Sequence, residues 1–143
     1  MMNKKDKLFA EKLRSSNLRP TKQRLQISKY LFDREKTLHF TVEDLDRYFN
    51  SKNTKNKISL ATLYNTVHAF KDAGHLKQIF NSHDRSYFDT NLSRHHHFFD
   101  EKNNEIIDID SNLIKVTKLP KPPSGKSIKE VEVIVKLGSD ILS

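Results

Sequence analysis

The segment ISLATLYNTVHAFKDAGHL, residues 58–76, carries the clearest helical pattern in the chain. Ser59 suits an N-cap, because its hydroxyl can accept from an orphan backbone N–H, and Gly74 suits the left-handed residue that closes a helix. Between them Leu60, Leu63, Val67 and Phe70 recur at i, i+3, i+7 and i+10 and predict one apolar stripe. Ala61, Thr62, Asn65, His68 and Asp72 stand opposite that stripe, with Tyr64 on its flank. An exposed N-terminal end built from small and hydrogen-bonding side chains, with few acids, can approach base-pair edges.

Three helices are predicted upstream. Residues 3–16 form a short basic helix with Phe9 and Leu13 on one face; Thr21 caps TKQRLQISKYLF, whose stripe is Leu25, Ser28, Leu31 and Phe32. Thr41 caps TVEDLDRYFNSK, where Glu43 and Asp44 complement the helix dipole and Val42, Leu45 and Phe49 are buried. The apolar-free stretch SKNTKNK, 51–57, is a polar loop. Downstream, HLKQIF and RSYFDT joined by NSHD make a β-hairpin. Three helices and then a hairpin is the order of a winged helix, an order also found in modules that bind protein.

From Arg94 the pattern changes. HHHFFD and EIIDID are strands around EKNN, EVEVIVKL (130–137) is a third, and Pro120, Pro122 and Pro123 rule out a continuous helix between them. So small a β unit buries little core alone and should complete itself against a second copy. The predicted fold is thus α+β, with a winged-helix unit over residues 1–91 and a small α/β dimerisation unit over 94–143.

Charge follows the same division. Of a net +8, residues 1–93 hold 18 Lys and Arg against 10 acids, whereas 94–143 hold 8 against 8. The excess suits a polyanionic partner for the first part, with a lysine-rich solvated surface as the plainer alternative. The chain has no cysteine, so disulfides, thiolate zinc and iron–sulfur clusters are excluded and metal must bind through histidine and carboxylate. No apolar run reaches membrane-spanning length and no secretory signal is evident, which predicts a cytoplasmic protein without membrane contact. An enzyme is not expected: there is no HExxH, and Gly74, Gly125 and Gly138 do not make a phosphate loop.

RHHHFFDE, 94–101, concentrates the metal-binding potential. Alternation along a strand puts His95 and His97 on one side and His96 on the other, so one metal can take the first and third. The histidines at 68, 75 and 83 have no such company and read as surface or packing residues.

LRPTKQR, TVEDL, ISLATLYNTVHAFKDAGHL, SYFDT and HHHFFDE, in this order, resemble the Fur family of bacterial metal-responsive regulators, and LATLYNTV with YFDTN and HHHFF is most similar to the iron response regulator (Irr) group. The resemblance implies a dimeric transcriptional regulator bound to a double-stranded DNA operator, responding to iron status through metal or haem. A Fur-type Fe(II)- or Mn(II)-dependent repressor and a peroxide-sensing regulator are the alternatives within the family. It implies DNA contacts by Arg19, Thr62, Tyr64 and Asn65, the last standing where many Fur proteins carry arginine. It also implies a site for Fe(II), Mn(II) or Zn(II) at His39, Asp89, His95 and His97, a second, weaker one at His96 and Glu132, and haem at His95, His96 and His97. The structural zinc held by cysteines in many members cannot form.

Overall fold

The computed structural model describes residues 3–51, 55, 57–79 and 86–139, which divide into two compact units, 1–92 and 93–143. Most of the polar segment 51–57, and the predicted turn NSHD with His83, lie outside the described residues.

The first unit begins with α1 (Lys4–Ser15) and α2 (Lys22–Phe32), capped by the side chains of Asn3 and Thr21. A two-residue strand β1 (His39–Phe40) precedes α3 (Val42–Phe49). Thr41 and Asp44 start α3 with a reciprocal capping box: the threonine hydroxyl accepts from the Asp44 N–H, and the Asp44 carboxylate accepts from the Thr41 N–H. Next come α4 (Leu60–Asp72), capped by Ser59, and the strands β2 (Lys77–Ile79) and β3 (Tyr87–Asp89). Gly74 follows α4 with φ +85°, the conformation for which glycine is suited.

The wing is antiparallel and has one strand more than the hairpin predicted: β1 joins it in the order β1–β3–β2. The core gathers Leu13, Ile27, Leu31, Phe40, Val42, Leu45, Phe49, Leu63, Val67, Phe70 and Phe88 from the four helices and from β1 and β3. Two predicted stripes shift. On α4 the buried residues are Leu63, Thr66, Val67 and Phe70, while Leu60 in the first turn is 47% exposed. Thr66 can be buried because its hydroxyl donates to the Thr62 carbonyl. On α2 Ile27 takes the central core position, with Leu25 and Phe32 half-buried beside it.

Asn50, after α3, sets the entry of α4. Its side-chain amide donates to the Ile58 carbonyl at 2.6 Å and accepts from the Ile58 N–H at 2.7 Å, as a neighbouring strand would. Ile58 is fully buried, so both backbone groups need those partners.

The second unit is a three-stranded sheet, order β5–β4–β6, formed by β4 (His95–Asp100), β5 (Glu105–Asp110) and β6 (Ile134–Leu137), with a 3-10 turn at Ser111–Leu113. β5 runs antiparallel and β6 parallel to β4. The third strand is shorter than predicted: residues 130–133 precede β6, and there Val133 exchanges bonds with the histidine strand, accepting from the His97 N–H at 3.2 Å and donating to His96 Nδ1 at 2.9 Å. Spending its N–H on an imidazole keeps that segment out of the regular ladder.

Candidate metal centre and nucleic-acid interface

Each unit carries its own histidine–carboxylate group. In the first, the β1–β3 register sets His39 opposite Asp89, and His39 Nε2 lies 3.1 Å from Asp89 Oδ2. Asp89 is fully buried, and its other oxygen accepts from the Asn91 N–H at 2.8 Å. The register is extended by Thr90, which accepts from the Leu38 N–H through its hydroxyl and donates its own N–H to the Leu38 carbonyl. A carboxylate removed from water needs such partners or a cation.

In the second unit His95 and His97 share one face of β4, their ring centroids 4.4 Å apart. The β4–β5 register brings Asp108 opposite His97, and its Oδ1 lies 3.2 Å from His95 Nε2 and 3.3 Å from His97 Nε2. The other ring nitrogens are also engaged. His95 Nδ1 is 2.7 Å from the Ser93 carbonyl, and His97 Nδ1 is 3.0 Å from Glu132 Oε1. A carbonyl and a carboxylate can only accept, so both Nδ1 atoms carry hydrogen and each neutral ring has its lone pair on Nε2. Two lone pairs then face a carboxylate oxygen, an arrangement that calls for a positive charge among them. Either a proton or a metal ion can supply it. Histidine oriented through its far nitrogen by a carboxylate is the usual second shell of a metal site.

His96 stands apart on the opposite face, its Nδ1 taken by the Val133 N–H. Glu132 reaches His97, not His96, so the pairing expected for a second site is not the one formed. Residues 132 and 133 lie outside β6, and there the carboxylate is delivered to the His97 side. Asp108 was missed by the sequence reading, although the signal was present: a hairpin centred on EKNN pairs residue 97 with residue 108.

On α4 the exposed side chains include Ala61, Tyr64, Asn65 and His68, with no acid in the first turn. The Tyr64 hydroxyl donates to Glu43 Oε1 at 2.9 Å, and that bond raises the tyrosine pKa above its ordinary value. The ring stacks beside His68 at 6.0 Å. Thr62 faces the helix start, within 2.9 Å of the Ser59 hydroxyl. Arg19 is exposed ahead of α2, its carbonyl accepting from the Arg24 guanidinium.

Residues 15–135 match the Ferric uptake regulator family. The chain belongs to the Fur family. Its relatives include the peroxide-responsive repressor PerR of Staphylococcus epidermidis, 34% identical over 96 residues, which cover 67% of this chain and 61% of the relative. The PerR of Staphylococcus aureus strain Mu50 is equally similar, with 67% and 62% covered. The match thus spans about three fifths of the length of these curated relatives. Among solved structures, the ferric uptake regulator of Pseudomonas aeruginosa with manganese shares the fold at TM-score 0.65 and 20% identity, over 93% of this chain and 98% of that one. That of Vibrio cholerae matches at TM-score 0.66 and 17% identity, over 91% and 98%. No helix among the described residues of this Fur-family chain is long and apolar enough to cross a membrane.

Proposed function

We propose that the chain is a metal-responsive transcriptional repressor that binds double-stranded DNA as a homodimer, reading the operator with α4. The observation that carries this reading is the pair of imidazoles, His95 and His97, whose Nε2 lone pairs converge on Asp108 while their Nδ1 atoms are tied to Ser93 and Glu132. The donor set fits a divalent ion such as Fe(II), Mn(II) or Zn(II) bound through nitrogen and oxygen. His95, His97 and Asp108 would hold it in the second unit, and the Fur resemblance adds His39 and Asp89, which pair with each other in the first. Bound there, the ion supplies the positive charge that the two imidazoles and the carboxylate call for.

A metal ion that favours one arrangement of the dimer would couple the spacing of paired α4 helices to metal occupancy, and half-sites on a duplex accept only certain spacings. In this reading Asn65 contacts adenine, Thr62 and Tyr64 contact bases or phosphates, and Arg19 reaches backbone or minor groove. Glu43 holds the Tyr64 hydroxyl and so orients it. Ile107, Leu113, Val116, Leu119 and Val131, all exposed in the second unit, support pairing with a second copy.

A peroxide-sensing repressor is a second reading, favoured by the PerR relatives and by the cysteine-free donor set. Oxygen gain on His95, His97 or His39 by mass spectrometry, after peroxide treatment of the Fe(II)-loaded protein, is expected under it and under no other. Haem, which the Irr likeness implies, finds less support at His96: ligation through Nε2 would require a change of tautomer and loss of the Val133 hydrogen bond.

The test is a gel-shift titration on an operator selected from random duplexes, with Fe(II), Mn(II), Zn(II) and haem added separately, repeated with His95→Ala and His97→Ala. Metal-dependent affinity that both variants lose is expected. Affinity indifferent to every ligand would sink the sensing mechanism while leaving DNA binding intact.

A further inference from the structure

Between α2 and the C-terminal end of α3, the first unit holds an open groove of about 890 Å³ that the reading above does not use. Its floor is aromatic. The rings of Tyr30 and Tyr48 lie 4.1 Å apart at a 32° tilt, and buried Phe49 meets both edge-on at 5.6 and 5.0 Å. Tyr48 remains 54% exposed, so a large ring is held in place by its neighbours yet turned to solvent. Arg34, which is not part of the groove's lining, sits 5.1 Å over the Tyr30 ring and helps hold it, so Tyr48 is the ring that the groove offers to a ligand.

The walls are cationic. Lys29 from α2 and Arg47 from α3 line the groove, both exposed, with Gln26 between as a neutral donor and acceptor. Arg47 is paired with Asp44, but no carboxylate is among the described lining residues, and Lys29 has no acidic partner among the described residues. The groove also faces away from the proposed DNA surface. Tyr48 lies five residues beyond Glu43 on α3, about 140° further round the helix, and it is Glu43 that meets Tyr64 on α4.

With Lys55 also in the lining, an aromatic floor among three cations selects for a ligand that is flat and negatively charged. An inorganic anion would leave the tyrosines unused, and an apolar peptide would have nothing for Lys29 and Arg47. A nucleobase stacks on aromatic rings whatever its identity, and its phosphate is matched by lysine and arginine. We propose that this groove binds a nucleoside phosphate, with the base stacked on Tyr48, which Tyr30 backs, and the phosphate held by Lys29 and Arg47.

The proposal can be tested by nuclear magnetic resonance on the full chain, titrated with AMP, adenosine and inorganic phosphate in turn. Saturable shifts at the Tyr30 and Tyr48 rings and at the Lys29 and Arg47 amides are expected with AMP, about tenfold tighter or more than with either fragment. Tyr48→Ala and Lys29→Ala should each weaken AMP binding about fivefold or more, while Tyr48→Phe, which keeps the ring face, should bind like the parent. Both positions are exposed, so the variants should retain the parent circular dichroism. Equal binding of phosphate alone, shifts confined to α4, parent-like affinity in both alanine variants, or loss in Tyr48→Phe as severe as in Tyr48→Ala would each overturn it.

Discussion

The two units solve the same problem of burial in different ways. Among the described residues, the first closes thirteen apolar side chains into one cluster, to which the wing and all four helices contribute. The second buries Phe99 and Ile109 beside the polar His97 and leaves Leu113 75% exposed, with Val116, Leu119 and Ile128 also open. On the reading proposed above, a unit that presents one helix face to DNA is served by a core closed on itself. The second unit, in which the buried imidazole of His97 faces a carboxylate, would depend on what joins it, whether cation or second copy.

The contrast can be broken most directly by truncating one buried phenylalanine in each unit. Phe70→Ala and Phe99→Ala should each cost about 3–5 kcal/mol by denaturant unfolding. Only Phe99→Ala should also remove the protein-concentration dependence of the midpoint that dimerisation through the second unit predicts. Concentration dependence persisting in that variant would mean that the second unit does not carry the pairing.

Within the first unit, Asn50→Ala should cost about 1–3 kcal/mol, because it strands the N–H and carbonyl of buried Ile58 at the entry to α4. The melting temperature should fall by about 4–8 °C for each kcal/mol lost. A change below the error of the measurement would show that water satisfies those groups.

Within the second, Glu132→Gln keeps the shape of the His97 partner but removes its charge, and should weaken Mn(II) or Zn(II) binding about 10–100-fold by calorimetry. His96→Ala, on the other face, should leave that affinity unchanged, and equal losses in the two variants would contradict the division of the histidines drawn above.

The smallest effect concerns His75, whose Nε2 bonds Ser15 at 2.9 Å and ties α1 to the turn after α4. Burial, then the neighbouring Lys12 charge, lowers its pKa below the ordinary 6.5, so the folded protein binds fewer protons than the unfolded chain just below that pH. Stability should therefore be full above pH 6.5 and decline as pH falls below it, a slope that His75→Gln should flatten in thermal melts. An unchanged slope would assign the acid sensitivity elsewhere.

Much of this fold could be read from local signals. Thr21, Thr41 and Ser59 cap where their side chains predict, Gly74 takes the positive φ, and the wing strands fall at HLKQIF and RSYFDT. Caps and turn glycines are legible because their physics lies within four residues of chain. β1 escaped notice because two residues have no periodicity; it exists only because β3 offers an edge. Leu60 looked buried because spacing places it on the stripe, but a first-turn residue has no preceding turn to cover it. Ser15 with His75 could not have been paired at all, being sixty residues apart.

For the site, composition alone settled the chemistry available: without cysteine, any transition metal must take imidazole and carboxylate. Strand alternation also put His95 and His97 on one face, since a two-residue period is a property of the backbone and of nothing beyond it. Of the two carboxylates that answer them, Asp108 was legible in the hairpin around EKNN, and Glu132 was decided only by tertiary structure. Asp108 arrives through hairpin register, and Glu132 arrives through a parallel strand that begins only at Ile134, leaving the preceding residues to turn toward His97. Periodicity assigns a side chain to a face; only packing chooses the side chain that meets it.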